Sequence, residues 1–233
     1  MTSRDKRMTI PSRRRNFLGQ LAGGVASLAG LAGARPHALA ARSAAPDQRA
    51  QPDDDWMDAL TATHRTVFDM SAHKNGKPLS QAKNYLDAWR DAFKVPEHDL
   101  NLVIGVHGEA LPVVVTDAVW ARFRIGEQYE VVDGRSKTAY TRNVFTAANA
   151  MSGGVVTADQ AVDSLQKRGV RFLICMNTIA GATRKLVEAG LGSAEEIRPA
   201  LLHGLLPGVI VVPAMVVALT QLQERGLKYT KIA

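Results

Sequence analysis

From Thr157 onward the chain alternates short apolar runs with amphipathic segments at helical spacing, and this alternation limits the fold more than any other feature. Thr157 and Gln160 have capping-box spacing, Ala161, Val162 and Leu165 give the following segment an apolar face, and Gly169 ends it. Val170 to Cys175 (VRFLIC) reads as a strand, after which Asn177 or Thr178 is placed to cap a helix. Ser193 and Glu196 form a second capping box. Val209 to Val212 is a further strand, and Met215, Val216, Leu219 and Leu222 line a helix that stops at Gly226. Lys228 to Ile232 closes the chain as a last strand. Strands separated by helices of this length require crossover connections, and therefore a mainly parallel sheet covered on both faces.

The first half fits the same frame. His64 to Met70 (HRTVFDM) reads as the first strand. Ser80 is placed to cap a helix whose Ala82, Tyr85, Leu86, Trp89 and Phe93 share a face. Leu100 to Val106 (LNLVIGV) is apolar almost throughout, as a strand buried on both faces should be. Residues 112–122 are ambiguous, although Asp117 to Ala121 looks helical. The expected class is α/β: a three-layer α/β/α sandwich with a mainly parallel sheet of about five strands, formed by 56–233 as one domain. Leu201 to Leu222 is apolar, but Gly204, Pro207, Gly208 and Pro213 divide it into a strand and a helix, so no membrane span is expected after the leader.

Residues 1–40 differ in composition from the rest. They hold seven Lys and Arg against the single acid Asp5; with 29 basic and 22 acidic residues in the whole chain, the remainder is nearly balanced at 22 against 21. The basic character belongs to the leader, which argues against nucleic acid as a partner of the folded domain. Arg14-Arg15-Asn16-Phe17-Leu18 fits the twin-arginine export pattern, a Gly- and Ala-rich apolar stretch follows, and Ala38-Leu39-Ala40 supplies a small-residue cleavage site. The order predicts a twin-arginine signal peptide over 1–40, the twin-arginine translocase as an export partner and a periplasmic location. Residues 41–55 read as a flexible linker.

Open parallel sheets bind ligands at the carboxyl ends of their strands, which selects Asp69 with Ser71, His107 with Gly108 and Glu109, Cys175 with Asn177 and Thr178, and Pro213. Cys175, the one cysteine, ends a strand and precedes a helix start, where free backbone N–H groups favour a thiolate able to hold and donate sulfur. In an oxidising compartment a lone thiol is either reactive or simply a small buried hydrophobe. His107 shares a crevice with Cys175 if their strands are neighbours, as a thiol–imidazole pair, half of a metal site or a plain hydrogen-bonded histidine. Asp69 either orients His107 or caps a turn. The remaining histidines show no metal-ligand spacing, no phosphate-loop or dinucleotide fingerprint is present, and neither a metal nor a cofactor is expected.

The order of a strand running into Val106-His107-Gly108, then GVRFLICMNT, then LLPGVIVVPAMVVALTQLQERGLKYTKI resembles the DsrE/DsrF-like family of sulfur-relay proteins over roughly residues 60–233. DAVWARFRIGEQYEVVDG and TRNVF look like an insertion typical of an exported branch. The resemblance implies an α/β/α sandwich assembling into trimers or hexamers, with Cys175 in the position of the cysteine that carries persulfide sulfur. Met176-Asn177-Thr178-Ile179 stand where the active relay proteins have a small, arginine-rich turn. The expected function is periplasmic sulfur handling, with sulfane sulfur carried on Cys175 between a donor and an acceptor protein. The alternatives are a non-catalytic small-ligand or metal-binding protein and an oligomeric scaffold.

Overall fold

Parallel strands form the centre of the molecule because each apolar run is followed by a helix that carries the chain back. The computed structural model describes residues 55–150 and 154–232. The leader and, apart from Asp55, the linker lie outside the described residues, which fall within one compact unit, Gln48–Ala233. The strands are β1 (His64–Ala72), β2 (Leu100–Glu109), β3 (Arg171–Cys175), β4 (Ile210–Val212) and β5 (Lys228–Ile232). The helices are α1 (Asp55–Asp58), α2 (Lys77–Asp91), α3 (Asp117–Arg122), α4 (Ile125–Gln128), α5 (Val162–Lys167), α6 (Met176–Glu188), α7 (Ala194–His203) and α8 (Met215–Glu224).

Among the described residues the sheet has five strands in the order β4-β3-β2-β1-β5, and every neighbouring pair is parallel. The chain steps from β1 through β4 in one direction and then crosses back to place β5 on the other side of β1. Right-handed crossovers put helices on one face while the chain steps one way, and on the opposite face when it returns. The core divides accordingly. Phe68, Met70, Ile104, Val106, Phe172 and Ile174 face Leu86 of α2, Leu165 of α5, Ile179 and Leu186 of α6 and Leu201 of α7. Val67, Val103, Leu173 and Cys175 face Met57 of α1 and Met215, Leu219 and Leu222 of α8. The result is a three-layer α/β/α sandwich, the architecture the alternation of elements requires.

Sterics and capping shift several local boundaries. α2 begins at Lys77, so Ser80 lies inside it and is not its cap. Gly76 caps it in a left-handed conformation (φ 77°), and Pro78 fits the first turn because its missing N–H would have had no helical partner. Phe93 lies beyond the end of α2 and is 66% exposed, touching the apolar face only through Trp89, 5.1 Å away between ring centres. Thr157 and Gln160 do form a capping box, but it opens a 3-10 turn, Ala158–Gln160, and α5 starts after Ala161. On α8 the buried stripe is Met215, Ala218, Leu219 and Leu222; Val216 points outward, 73% exposed.

The segment between β2 and α5 completes the larger core. Trp120, Phe123, Ile125 and Phe145 are fully buried. Each large apolar side chain removed from water contributes about 2 kcal/mol. Asn143, with no exposed surface, ties this segment together: its amide nitrogen donates to the carbonyls of Val113 (3.3 Å) and Val115 (2.7 Å), and its side-chain oxygen accepts from Phe145 N–H (2.8 Å).

Candidate functional site

The carboxyl ends of β2 and β3, the face of α6 from Asn177 to Lys185 and the first turn of α8 line an open crevice of about 500 Å³. His107, Gly108, Cys175, Asn177 and Thr178 all line it, together with Tyr129, Lys185 and Met215. The sheet register explains the convergence. Ile174 lies opposite Val106, so Cys175 follows beside His107 on the neighbouring strand. Gly105, two residues before His107, lets α8 sit close: a Cβ there would lie 2.6 Å from Met215 Sδ.

Cys175 itself is the N-cap of α6, with extended backbone (φ −100°, ψ 152°). Its sulfur accepts from Thr178 N–H at 3.4 Å, filling the role predicted for Asn177 or Thr178. The cap falls on Cys175 because the helix begins immediately after β3, which puts Thr178 in the third helical position, whose N–H points back at the cap. Thr178 Oγ1 lies 3.2 Å from Cys175 Sγ and accepts from Gly108 N–H at 3.2 Å. With Gly108 supplying a hydrogen to that oxygen, the Thr178 hydroxyl hydrogen is free to point at the sulfur. Gly108 holds this position at φ +56°, a conformation side chains rarely adopt. Cys175 is only 3% exposed, while Asn177 is exposed at the crevice edge.

Asp69 lies on the same face one strand further on and is 8% exposed. Its Oδ1 is 2.6 Å from His107 Nε2, and its Oδ2 accepts from Tyr229 Oη at 2.7 Å. Asp69 therefore orients His107, the first of the two roles open to it. The bond to Asp69, together with desolvation, raises the Tyr229 phenol above its usual range and keeps it a donor. Across the sheet the order is Tyr229 on β5, Asp69 on β1, His107 on β2 and Cys175 on β3.

Lys185 is the cation lining the crevice, and it is already engaged: its Nζ is 3.0 Å from Glu109 Oε2 and 4.0 Å from the centre of the Tyr129 ring. Burial, followed by the charge of Glu109, pushes the Tyr129 phenol well above its usual range. The Tyr129 carbonyl is held in turn by His73, whose Nε2 lies 2.9 Å away while its Nδ1 accepts from Asn75 N–H at 3.2 Å. Burial lowers the His73 imidazole below its ordinary range and favours the neutral ring that this arrangement needs.

Tyr129, Lys185, Met215 and Tyr229 were not selected from the sequence. Lys185 had a signal, since Thr178, Ala182 and Lys185 recur at helical spacing on one face of α6. Tyr229 had only its place on the last strand. Tyr129 had none, because it arrives from the irregular segment after β2. Among the described residues, no three or more His, Cys, Asp and Glu side chains are grouped to hold a metal ion.

Fold and site together define a class: an α/β/α sandwich whose strand-end cysteine caps a helix beside a carboxylate-bound histidine. Neither a protein-family model nor a curated protein matches the sequence. A solved structure of a protein of unknown function from Methanobacterium thermoautotrophicum is similar at 17% sequence identity and a TM-score of 0.40, over 72% of this chain and 99% of that one.

Proposed function

We propose that this protein handles sulfur in the periplasm, taking a sulfane sulfur onto Cys175 as a persulfide and passing it to a partner protein. The observation that carries the reading is the setting of Cys175 Sγ: it lines the crevice, caps the N-terminus of α6 and has both the N–H and the hydroxyl of Thr178 within reach. Donors aimed at a sulfur from a helix N-terminus stabilise negative charge there. The Cys175 thiolate would attack the terminal sulfur of a polysulfide, breaking one S–S bond and forming another; the chain, shorter by one sulfur, leaves with the electron pair, so no external oxidant is needed. The resemblance to the DsrE/DsrF-like family supports the same chemistry, and with it a homo-oligomer of three or six copies. The twin-arginine pattern at Arg14 and Arg15 supports export of the folded chain.

Intact mass of the protein before and after polysulfide, with Cys175→Ser as control, tests the reading. A gain of one sulfur atom is expected in the wild type, reversed by reductant and lost in the variant. A wild-type mass that does not move, while iodoacetamide still alkylates Cys175, would rule out the carrier.

A further inference from the structure

We propose that His107 is the acid–base partner of Cys175, and that Asp69 and Tyr229 are positioning residues that hold its Nδ1 free toward the crevice. Asp69 is bound on both oxygens, by His107 Nε2 at 2.6 Å and Tyr229 Oη at 2.7 Å, so the carboxylate is fixed between two neighbouring strands. A neutral imidazole that donates from Nε2 to a carboxylate carries its acceptor on Nδ1. The ring is part-exposed, its side chain at 32%, and lines the same crevice as Cys175 on the adjacent strand. No hydrogen bond joins His107 to Cys175 among the described residues; acid–base contacts of this kind commonly close only when substrate is bound.

The proton balance follows from that geometry. Cys175 gives its thiol proton to His107 Nδ1, and Asp69 stabilises the imidazolium that forms. The thiolate attacks the outer sulfur of the donor, the donor's S–S bond breaks, and its leaving sulfur takes the electron pair and then the proton from Nδ1. The sulfur steps rest on the reading of Cys175 as a carrier; the proton step does not. The titratable and charged groups around the pair are Asp69 on β1, Glu109 on β2, Tyr229 and Lys231 on β5, Lys185 on α6 and Tyr129. From α8 the crevice receives only Met215 and Val216.

The test is the rate of Cys175 alkylation by iodoacetamide across pH in the full chain, which reads thiol deprotonation whether or not sulfur is ever loaded. His107→Gln is expected to slow alkylation at neutral pH at least about tenfold and to move the rate–pH profile upward. Asp69→Asn should do the same without removing the imidazole, because the amide can donate to Nε2 and so reverse the tautomer. Tyr229→Phe should give a smaller loss in the same direction. Wild-type profiles in both His107→Gln and Asp69→Asn, in proteins that keep their circular dichroism and melting temperature, would overturn the proposal. So would a Cys175 that remains unalkylated in the folded wild type. If His107→Gln does not fold, His107→Asn and Asp69→Asn carry the same decision. A normal His107 effect with no sulfur gain in the mass experiment would reject the carrier and keep the acid–base pair.

Discussion

Thr178 shows how much one side chain in a first helical turn can do. It accepts from Gly108 N–H and presents both its own N–H and its hydroxyl to Cys175 Sγ. Thr178→Val keeps the shape and the backbone bond but removes the hydroxyl, leaving Gly108 N–H without its partner. The expected cost is about 1–3 kcal/mol in urea unfolding, with slower alkylation of Cys175, and Thr178→Ser should recover both. A Thr178→Val protein with wild-type stability and thiol reactivity would remove the hydroxyl from the site. The sequence pointed to Asp69, His107, Cys175 and Thr178 because each follows an apolar run, and strand ends are where parallel sheets place ligands. It assigned the cap of α6 to the wrong residue, because cysteine is not among the usual capping types and only the abrupt passage from β3 into α6 puts its sulfur there.

At the level of elements, the turn after β1 is tied to the irregular segment after α4 through His73. Its ring accepts from Asn75 N–H, which requires an unprotonated Nδ1, and bonds the Tyr129 carbonyl from the other nitrogen. Burial lowers its folded-state affinity for a proton, so this histidine is the depressed case. The unfolded chain binds a proton near the ordinary imidazole value of about 6.5. The stability His73 contributes is thus fully present above that pH and is lost as pH falls through its lower folded value. Urea midpoints between about pH 8 and pH 5 should decline on the acid side, and His73→Gln should flatten that decline. An unchanged slope in the variant would show that other groups set it. The strands and the long helices were legible as elements because their periodicities are strong. The joint made by His73 was not, since it depends on two segments more than fifty residues apart in sequence meeting in space.

For the whole molecule, the proposed assembly makes a direct prediction: light scattering of the purified protein at tens of micromolar should give three or six times the protomer mass. A monomer would reject the assembly while leaving the chemistry at Cys175 to the mass and alkylation experiments. The sequence by itself determined the class of fold, because apolar runs alternating with amphipathic helices leave a covered parallel sheet as the arrangement that buries both patterns. It also placed Cys175 as the last residue of β3 and His107 near the end of β2, whereas Asp69 lies inside β1, which runs on to Ala72. Only the tertiary structure decided the strand order, with β5 returning beside β1 so that Tyr229 reaches Asp69. It also brought Tyr129 and Lys185 to the crevice. Periodicity records which face of an element is buried; which strands become neighbours depends on the handedness of each connection and the packing of distant side chains, and no local stretch of the chain encodes either.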